Sequence, residues 1–178
     1  MNSLWTRLAN WTAVLGAGLV ALGGICYASG IRVNTSRSIP LGLYQVSGGE
    51  AARNAYVMFC PPPLSVFEEA RRRHYIQAGL CPGGYGYMMK KVMGLASDVV
   101  EVADDGVRVN GRLLRFSVPL KVDKAGRPLP RLRTGRFRLG DAELLLMTDV
   151  NPASFDGRYF GPVGRSQVVA VVAPLLTW

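Results

Sequence analysis

Residues 87–95 have the sequence Tyr-Met-Met-Lys-Lys-Val-Met-Gly-Leu. They continue a segment, residues 85–92, whose aromatic and apolar side chains are typical of a β-strand. Successive side chains of a strand point to opposite faces of the sheet, so Lys90 and Lys91 must face apart. The segment therefore predicts either a solvated edge strand or a core strand that carries one buried amine.

The flanking segments predict a mainly β protein. Further strands are expected at residues 99–102, 107–109, 144–148 and 168–173, and turn sequences at 104–106 and 110–111 make residues 99–114 an antiparallel meander. Residues 64–78 have the charge pattern of an amphipathic helix. The expected fold class is therefore an antiparallel β domain with one small helical insertion.

An uncharged apolar run from Trp11 to Ala28 precedes these strands. Eighteen helical residues span about 27 Å, close to the ~30 Å hydrocarbon core of a bilayer. We expect residues 1–30 to form a single membrane anchor and residues 31–178 to form the exported domain. A cleaved signal peptide and a buried core helix are the alternatives.

The charge lies in the predicted exported domain. The chain carries a net charge of +9, and Arg7 is the only charged side chain among residues 1–30, so +8 belongs to residues 31–178. Residues 121–138 are dense in basic residues, Pro and Gly and predict a solvated loop, with arginines at Arg131, Arg133, Arg136 and Arg138. An anionic lipid surface is the expected partner. No direct nucleic-acid partner is expected, because basic and aromatic residues are not interleaved.

Two of the three cysteines lie outside the apolar run. Cys60 and Cys81 are each followed by Pro and flank the predicted helix. In an oxidising compartment they would form a disulfide worth about 3 kcal/mol of stability, and two free thiols are the alternative. His74, the single histidine, has no ligand-like spacing to either cysteine. We therefore expect neither a metal site nor a cofactor.

A single histidine inside a charged helix also disfavours a Ser-His-Asp triad. The remaining nucleophilic chemistry uses serine with a neutral lysine, and this requires a lysine among apolar residues, as in the strand that carries Lys90 and Lys91. A serine candidate is Ser38, which precedes a turn formed by Pro40 and Gly42 just beyond the apolar run. Each feature also has a simpler interpretation. The strand that carries Lys90 and Lys91 could be a solvated sheet edge, and the segment around Ser38 could be a polar linker.

Three blocks in order resemble the bacterial type I signal peptidases, and specifically their conjugative-transfer branch, the TraF-type peptidases. Residues 36–44 are similar to the branch's nucleophile motif, residues 87–98 to its lysine box and residues 151–161 to its C-terminal box. The sequence differs from the general family at two places. The general family has one more residue between its serine and proline, so Ser36 remains an alternative nucleophile. Residues 96–97 of the lysine box are Ala-Ser, where the family usually has Pro-Gly.

The resemblance implies a role for each matching position. Ser38 would be the nucleophile and its N–H an oxyanion donor, with the Ser36 hydroxyl as a second donor. Lys90 would be the general base and Ser154 the hydroxyl that orients its amine. Asp156 would form an ion pair with Arg158 beside the site.

The implied function is that of a membrane-anchored serine endopeptidase of the bacterial inner membrane, with its catalytic domain in the periplasm. Its substrate would be a membrane-tethered exported precursor such as the pilin of a conjugative DNA-transfer apparatus. Acyl-enzyme chemistry also permits a cyclic product. The alternative is a non-catalytic structural component of a pilus or secretion assembly.

Overall fold

The N-terminal apolar segment is one long helix. The computed structural model describes residues 2–130, 132 and 135–178. Helix α1 spans Asn2–Ala28, and its stretch Leu4–Ala28 has a mean hydropathy of 1.6 with no part buried against the rest of the protein. Twenty-five residues at ~1.5 Å each give about 37 Å. By length and composition the helix can serve as a membrane anchor or as a signal sequence.

The rest of the described chain is mainly antiparallel β-structure, as predicted. A seven-stranded sheet has the order β1-β2-β12-β3-β5-β10-β11 and a four-stranded sheet the order β8-β7-β6-β9. The strands are β1 Ile31–Asn34, β2 Gly42–Ser47, β3 Tyr56–Phe59, β4 Ala78–Cys81, β5 Met88–Gly94, β6 Val99–Ala103, β7 Gly106–Val109, β8 Arg112–Leu113, β9 Gly135–Arg138, β10 Glu143–Met147, β11 Val163–Gly164 and β12 Val168–Thr177. The helices after α1 are α2 Ser65–Arg72 and α3 Gly157–Phe160.

The strand that carries the two lysines lies inside the larger sheet. β5 pairs with β3 on one side and with β10 on the other. Alternate residues of β5 are buried, beginning with Met88 and including Lys90 and Val92. A solvated edge position for this strand is thereby excluded.

The predicted helix at residues 64–78 is shorter than expected. α2 ends at Arg72, and His74 has a φ of +61°. This left-handed conformation stops the helix and turns the chain, so that Ile76 enters the core beside Phe67. The helical charge pattern continues past the residue at which packing redirects the chain.

The basic segment at residues 121–138 is not a loop throughout. Gly135–Arg138 forms β9 and pairs with β6, which places Arg136 opposite Glu101. Cross-strand pairing of opposite charges favours this register over a solvated loop. Arg131 and Arg133 lie outside the described residues.

The predicted disulfide between Cys60 and Cys81 is present. It joins the residue that follows β3 to the last residue of β4, and α2 lies between the two cysteines in the chain. The helical insertion is therefore closed at its base. Cys26 is the free cysteine and lies in α1.

Candidate active site

The loop between β1 and β2 presents Ser38. Asn34, the last residue of β1, is 4% exposed, and its Nδ2 donates to the carbonyl oxygens of Ser36 (2.8 Å), Ile39 (3.1 Å) and Pro40 (2.9 Å). Ile39 anchors the loop in the core, while Ser38 stays partly exposed. One buried amide thus determines the shape of this loop. The sequence analysis missed Asn34 because its role depends on contacts within the folded loop.

Three polar side chains from distant parts of the chain meet at Ser38. Lys90 Nζ lies 2.6 Å from Ser38 Oγ and 2.7 Å from Ser154 Oγ, and the two hydroxyl oxygens are 3.1 Å apart. Each of the three groups is within hydrogen-bond distance of the other two. The structure therefore brings together three of the five predicted site residues in one cluster.

The environment of Lys90 favours the neutral amine. The side chain is 1% exposed, and burial lowers its pKa from 10.5 to about 8. Asp156 opposes this shift, whereas the positive charge of Arg158 adds to it. About a tenth of an amine with this pKa is unprotonated at pH 7, far more than of an unperturbed lysine.

Asp156 and Arg158, the predicted ion pair, support the turn that carries Ser154. Both side chains are fully buried, and Arg158 donates through Nε and Nη2 to the two carboxylate oxygens at 2.8 and 2.7 Å. Arg158 Nη1 also donates to the Pro152 carbonyl oxygen at 2.9 Å. The pair therefore holds the chain on both sides of Ser154, while the described contacts of Asp156 do not include Lys90 or Ser38 themselves.

Ser36 lies near the cluster but not within it. Its hydroxyl donates to Asn34 Oδ1 at 2.9 Å, and its backbone N–H donates to the same oxygen at 3.1 Å. A hydroxyl has one proton to donate. Ser36 can serve an oxyanion only if its hydroxyl turns away from Asn34.

A cleft of about 410 Å³ opens beside Ser38. Its walls come from β1 and the following loop, from residues 75–80, and from the chain entering β5. Apolar side chains dominate these walls, and the edge strand β1 leaves backbone groups available to an added strand. The cleft suits an extended peptide; its lining includes Val33, Ser36, Ser38, Leu80, Tyr87 and Met89.

No metal-ligand cluster of His, Cys, Asp and Glu side chains occurs within residues 2–130, 132 and 135–178. The groups at the site are hydroxyls, one amine, one carboxylate and one guanidinium. Together they can transfer a proton from a hydroxyl to a buried amine. This is the chemistry of nucleophilic catalysis by serine with a lysine base.

Comparison with known proteins gives concordant matches. The family model described as signal peptidase, peptidase S26, matches residues 15–177. A plasmid transfer protein TraF of Escherichia coli is 53% identical over 100% of both chains. A probable conjugal transfer protein TraF of Sinorhizobium fredii is 33% identical over 90% of this chain and 85% of its own. Signal peptidase I V of Bacillus subtilis is 30% identical over 48% of this chain and 55% of its own.

Proposed function

This chain belongs to the signal peptidase family, peptidase S26, and on that premise we propose that it is a membrane-anchored serine endopeptidase with a Ser38–Lys90 dyad. One observation carries the proposal: a nearly fully buried amine with a pKa of about 8 lies 2.6 Å from a partly exposed hydroxyl. A buried amine with a lowered pKa at hydrogen-bond distance from a serine hydroxyl is typical of an activated nucleophile.

The proposed reaction begins with proton transfer from Ser38 Oγ to the neutral Lys90 Nζ. The Ser38 oxygen attacks the scissile carbonyl carbon, and the backbone N–H of Ser38, with the Ser36 hydroxyl once it is released from Asn34, donates to the oxyanion. Lys90 then gives its proton to the departing amine, which leaves an acyl-enzyme. A water molecule, deprotonated by the same amine, releases the product acid and restores Ser38. Ser154 keeps the Lys90 amine aimed at Ser38 throughout.

The proposed biological role is maturation of a precursor in conjugation. Relatives that cover most or all of this chain are named plasmid transfer and conjugal transfer proteins. We propose that the substrate is a membrane-tethered exported precursor, specifically the pilin of the transfer apparatus. If the terminal amine of the pilin replaces water as the second nucleophile, the product is a ring, and its mass is lower by one water than that of the linear trimmed chain.

The proposed location is the bacterial inner membrane, with the β domain in the periplasm. α1 is long enough to anchor the chain, and the Cys60–Cys81 disulfide is compatible with an oxidising compartment. The +8 charge of residues 31–178 favours contact with anionic lipid. An anchored enzyme and a tethered substrate also meet at raised effective concentration.

The test is processing of the pilin precursor, co-expressed with the full chain. Lys90→Arg keeps the positive charge of the side chain but removes the base, since a guanidinium does not deprotonate in proteins. Lys91→Arg is the matched control one residue away. We expect Lys90→Arg and Ser38→Ala to abolish processing and Lys91→Arg to retain it. Processing that survives in both Ser38→Ala and Lys90→Arg would favour the structural-component alternative.

A further inference from the structure

Among the described side chains that line the cleft beside Ser38, Arg32 is the only charged one and none is a carboxylate. Arg32 lies on β1, the strand that leads into the loop of Ser38. Arg32 has no carboxylate partner among the described residues, so an anionic group on the occupant would gain from meeting it.

The Arg32 guanidinium is held in place by the end of α1. Nη1 donates to the carbonyl oxygens of Tyr27 (2.8 Å) and Ile31 (2.9 Å). The guanidinium carbon lies 3.9 Å from the centre of the Tyr27 ring. These contacts orient the group before any substrate arrives, which lowers the entropy lost when a ligand binds.

The described part of the chain offers no acceptor to the opposite edge of the guanidinium. Nε is buried without a hydrogen-bond partner, and Nη2 has none among the described residues. Nη2 can donate to a carboxylate oxygen, whereas the buried Nε is reached only after the side chain shifts. A carboxylate that accepts from Nη2 supplies an acceptor that the described residues do not provide.

We infer that Arg32 forms a carboxylate-binding subsite of the cleft, which recognises an acidic side chain of the substrate peptide several residues from the scissile bond. The inference rests on the proposed peptidase function. The distance follows from the chain: Arg32 precedes Asn34 on β1, and the loop then leads to Ser38, so a peptide extended along the cleft reaches Arg32 only after several residues. Arg32 thus determines substrate specificity without taking part in the proton transfer.

The experiment uses the full chain in uncharged detergent and a set of synthetic peptides with a small-residue cleavage site. Each peptide carries Glu, Gln or Lys at one position on either side of the scissile bond. We expect one position at which Glu raises kcat/KM over Gln by about tenfold, the size of one charge-assisted contact. Arg32→Gln should bring the ratio of kcat/KM for the Glu peptide over the Gln peptide to about one, and Arg32→Glu should shift the preference to Lys.

Arg112→Gln is the matched control, since it removes the same charge from the exposed β8, away from the cleft. The preference should persist in it. A merely structural role for Arg32 as a cap of α1 predicts that Arg32→Gln changes all peptides equally, and that result would overturn the inference, as would the absence of a Glu preference at every position. If the wild type cleaves no peptide, the proposed function fails. Binding of the Glu and Gln peptides to Ser38→Ala, measured by fluorescence anisotropy, then decides the inference separately.

Discussion

Lys90 and Lys91 are consecutive residues of β5 whose amines lie in different environments. Lys90 is 1% exposed and contacts the hydroxyls of Ser38 and Ser154. Lys91 Nζ donates to Asp149 Oδ2 at 2.5 Å in a partly exposed ion pair. The alternation of a strand separates the two side chains. Burial lowers the pKa of Lys90 to about 8, and Lys91 forms an ion pair with Asp149.

Peptidase activity should rise with pH up to about pH 8. In the proposed dyad only the neutral Lys90 amine can accept the Ser38 proton, and the pKa of this amine is about 8. Below that value kcat/KM should fall by about tenfold per pH unit, and above it the rate should level off. The measurement is kcat/KM against pH for the wild type and for Lys91→Arg, whose midpoint should not move. A kcat/KM that does not fall below pH 8 would contradict the role of Lys90 as the base.

Lys90→Met should stabilise the fold while it abolishes activity. The folded pKa of about 8 lies below the unfolded value of 10.5, so the unfolded chain binds more protons between these pH values, and stability of the wild type rises with pH across that window. Below pH 8 the Lys90 amine is charged in the folded protein as well, and the whole cost of burying that charge lowers the free energy of unfolding. Allowing for the lost serine contacts, we expect a gain of roughly 1–3 kcal/mol at pH 7.

Urea unfolding of both proteins at pH 7 measures that gain. Lys91→Met is the comparison, because it removes a partly exposed charge and breaks the ion pair with Asp149. It should not stabilise the protein. A Lys90→Met variant less stable than the wild type would show that the serine contacts outweigh the cost of burial.

Asn34→Ala should slow the reaction without loss of substrate binding. The amide of Asn34 donates to three carbonyl oxygens of the Ser38 loop, so its removal lets Ser38 leave the reach of Lys90. We expect kcat to fall by about 10²-fold with KM little changed. Asn34→Asp, which keeps the acceptor and loses the donor, should be similarly slow. A change in KM with kcat unchanged would instead indicate that Asn34 acts in substrate binding by the cleft.

Arg158→Met should strongly destabilise the protein. The substitution leaves the Asp156 carboxylate fully buried without its cation, and breaking a buried pair in this way costs about 3–5 kcal/mol. The measurement is the urea midpoint, with Arg108→Met as control because the Arg108–Asp105 pair is exposed. The control should change stability little. Equal effects in the two variants would argue against the buried pair as the support of the Ser154 turn.

Removing the Cys60–Cys81 disulfide by the double substitution Cys60→Ser and Cys81→Ser should lower stability by about 3 kcal/mol. The two cysteines lie 21 positions apart in the chain, so the disulfide closes a loop of moderate length. Thermal unfolding measures the loss, and Cys26→Ser should leave the midpoint unchanged. Thiol counting on the denatured, unreduced wild type should find Cys26 alone reactive.

Local patterns in the sequence were sufficient for several features. The length of the apolar run predicts α1, hairpin turn residues predict the β6–β8 meander, and alternation predicts that at most one of Lys90 and Lys91 is buried. These features depend on neighbours in the chain, and physical rules for helix rise, turn conformation and strand pleat act over a few residues. The resemblance to the signal peptidases, which rests on three sequence blocks in order, added the expected roles of the site residues.

Tertiary packing decided the rest. α2 stops at Arg72 because the chain must turn at His74 to bury Ile76, and residues 135–138 become β9 because β6 offers an edge to pair with. The contact of Ser38 with Ser154 joins residues 116 positions apart, and Asn34 acquires its role only once the loop closes around its amide. Contacts between residues so distant in the chain depend on the burial of the whole sheet, which no local pattern encodes.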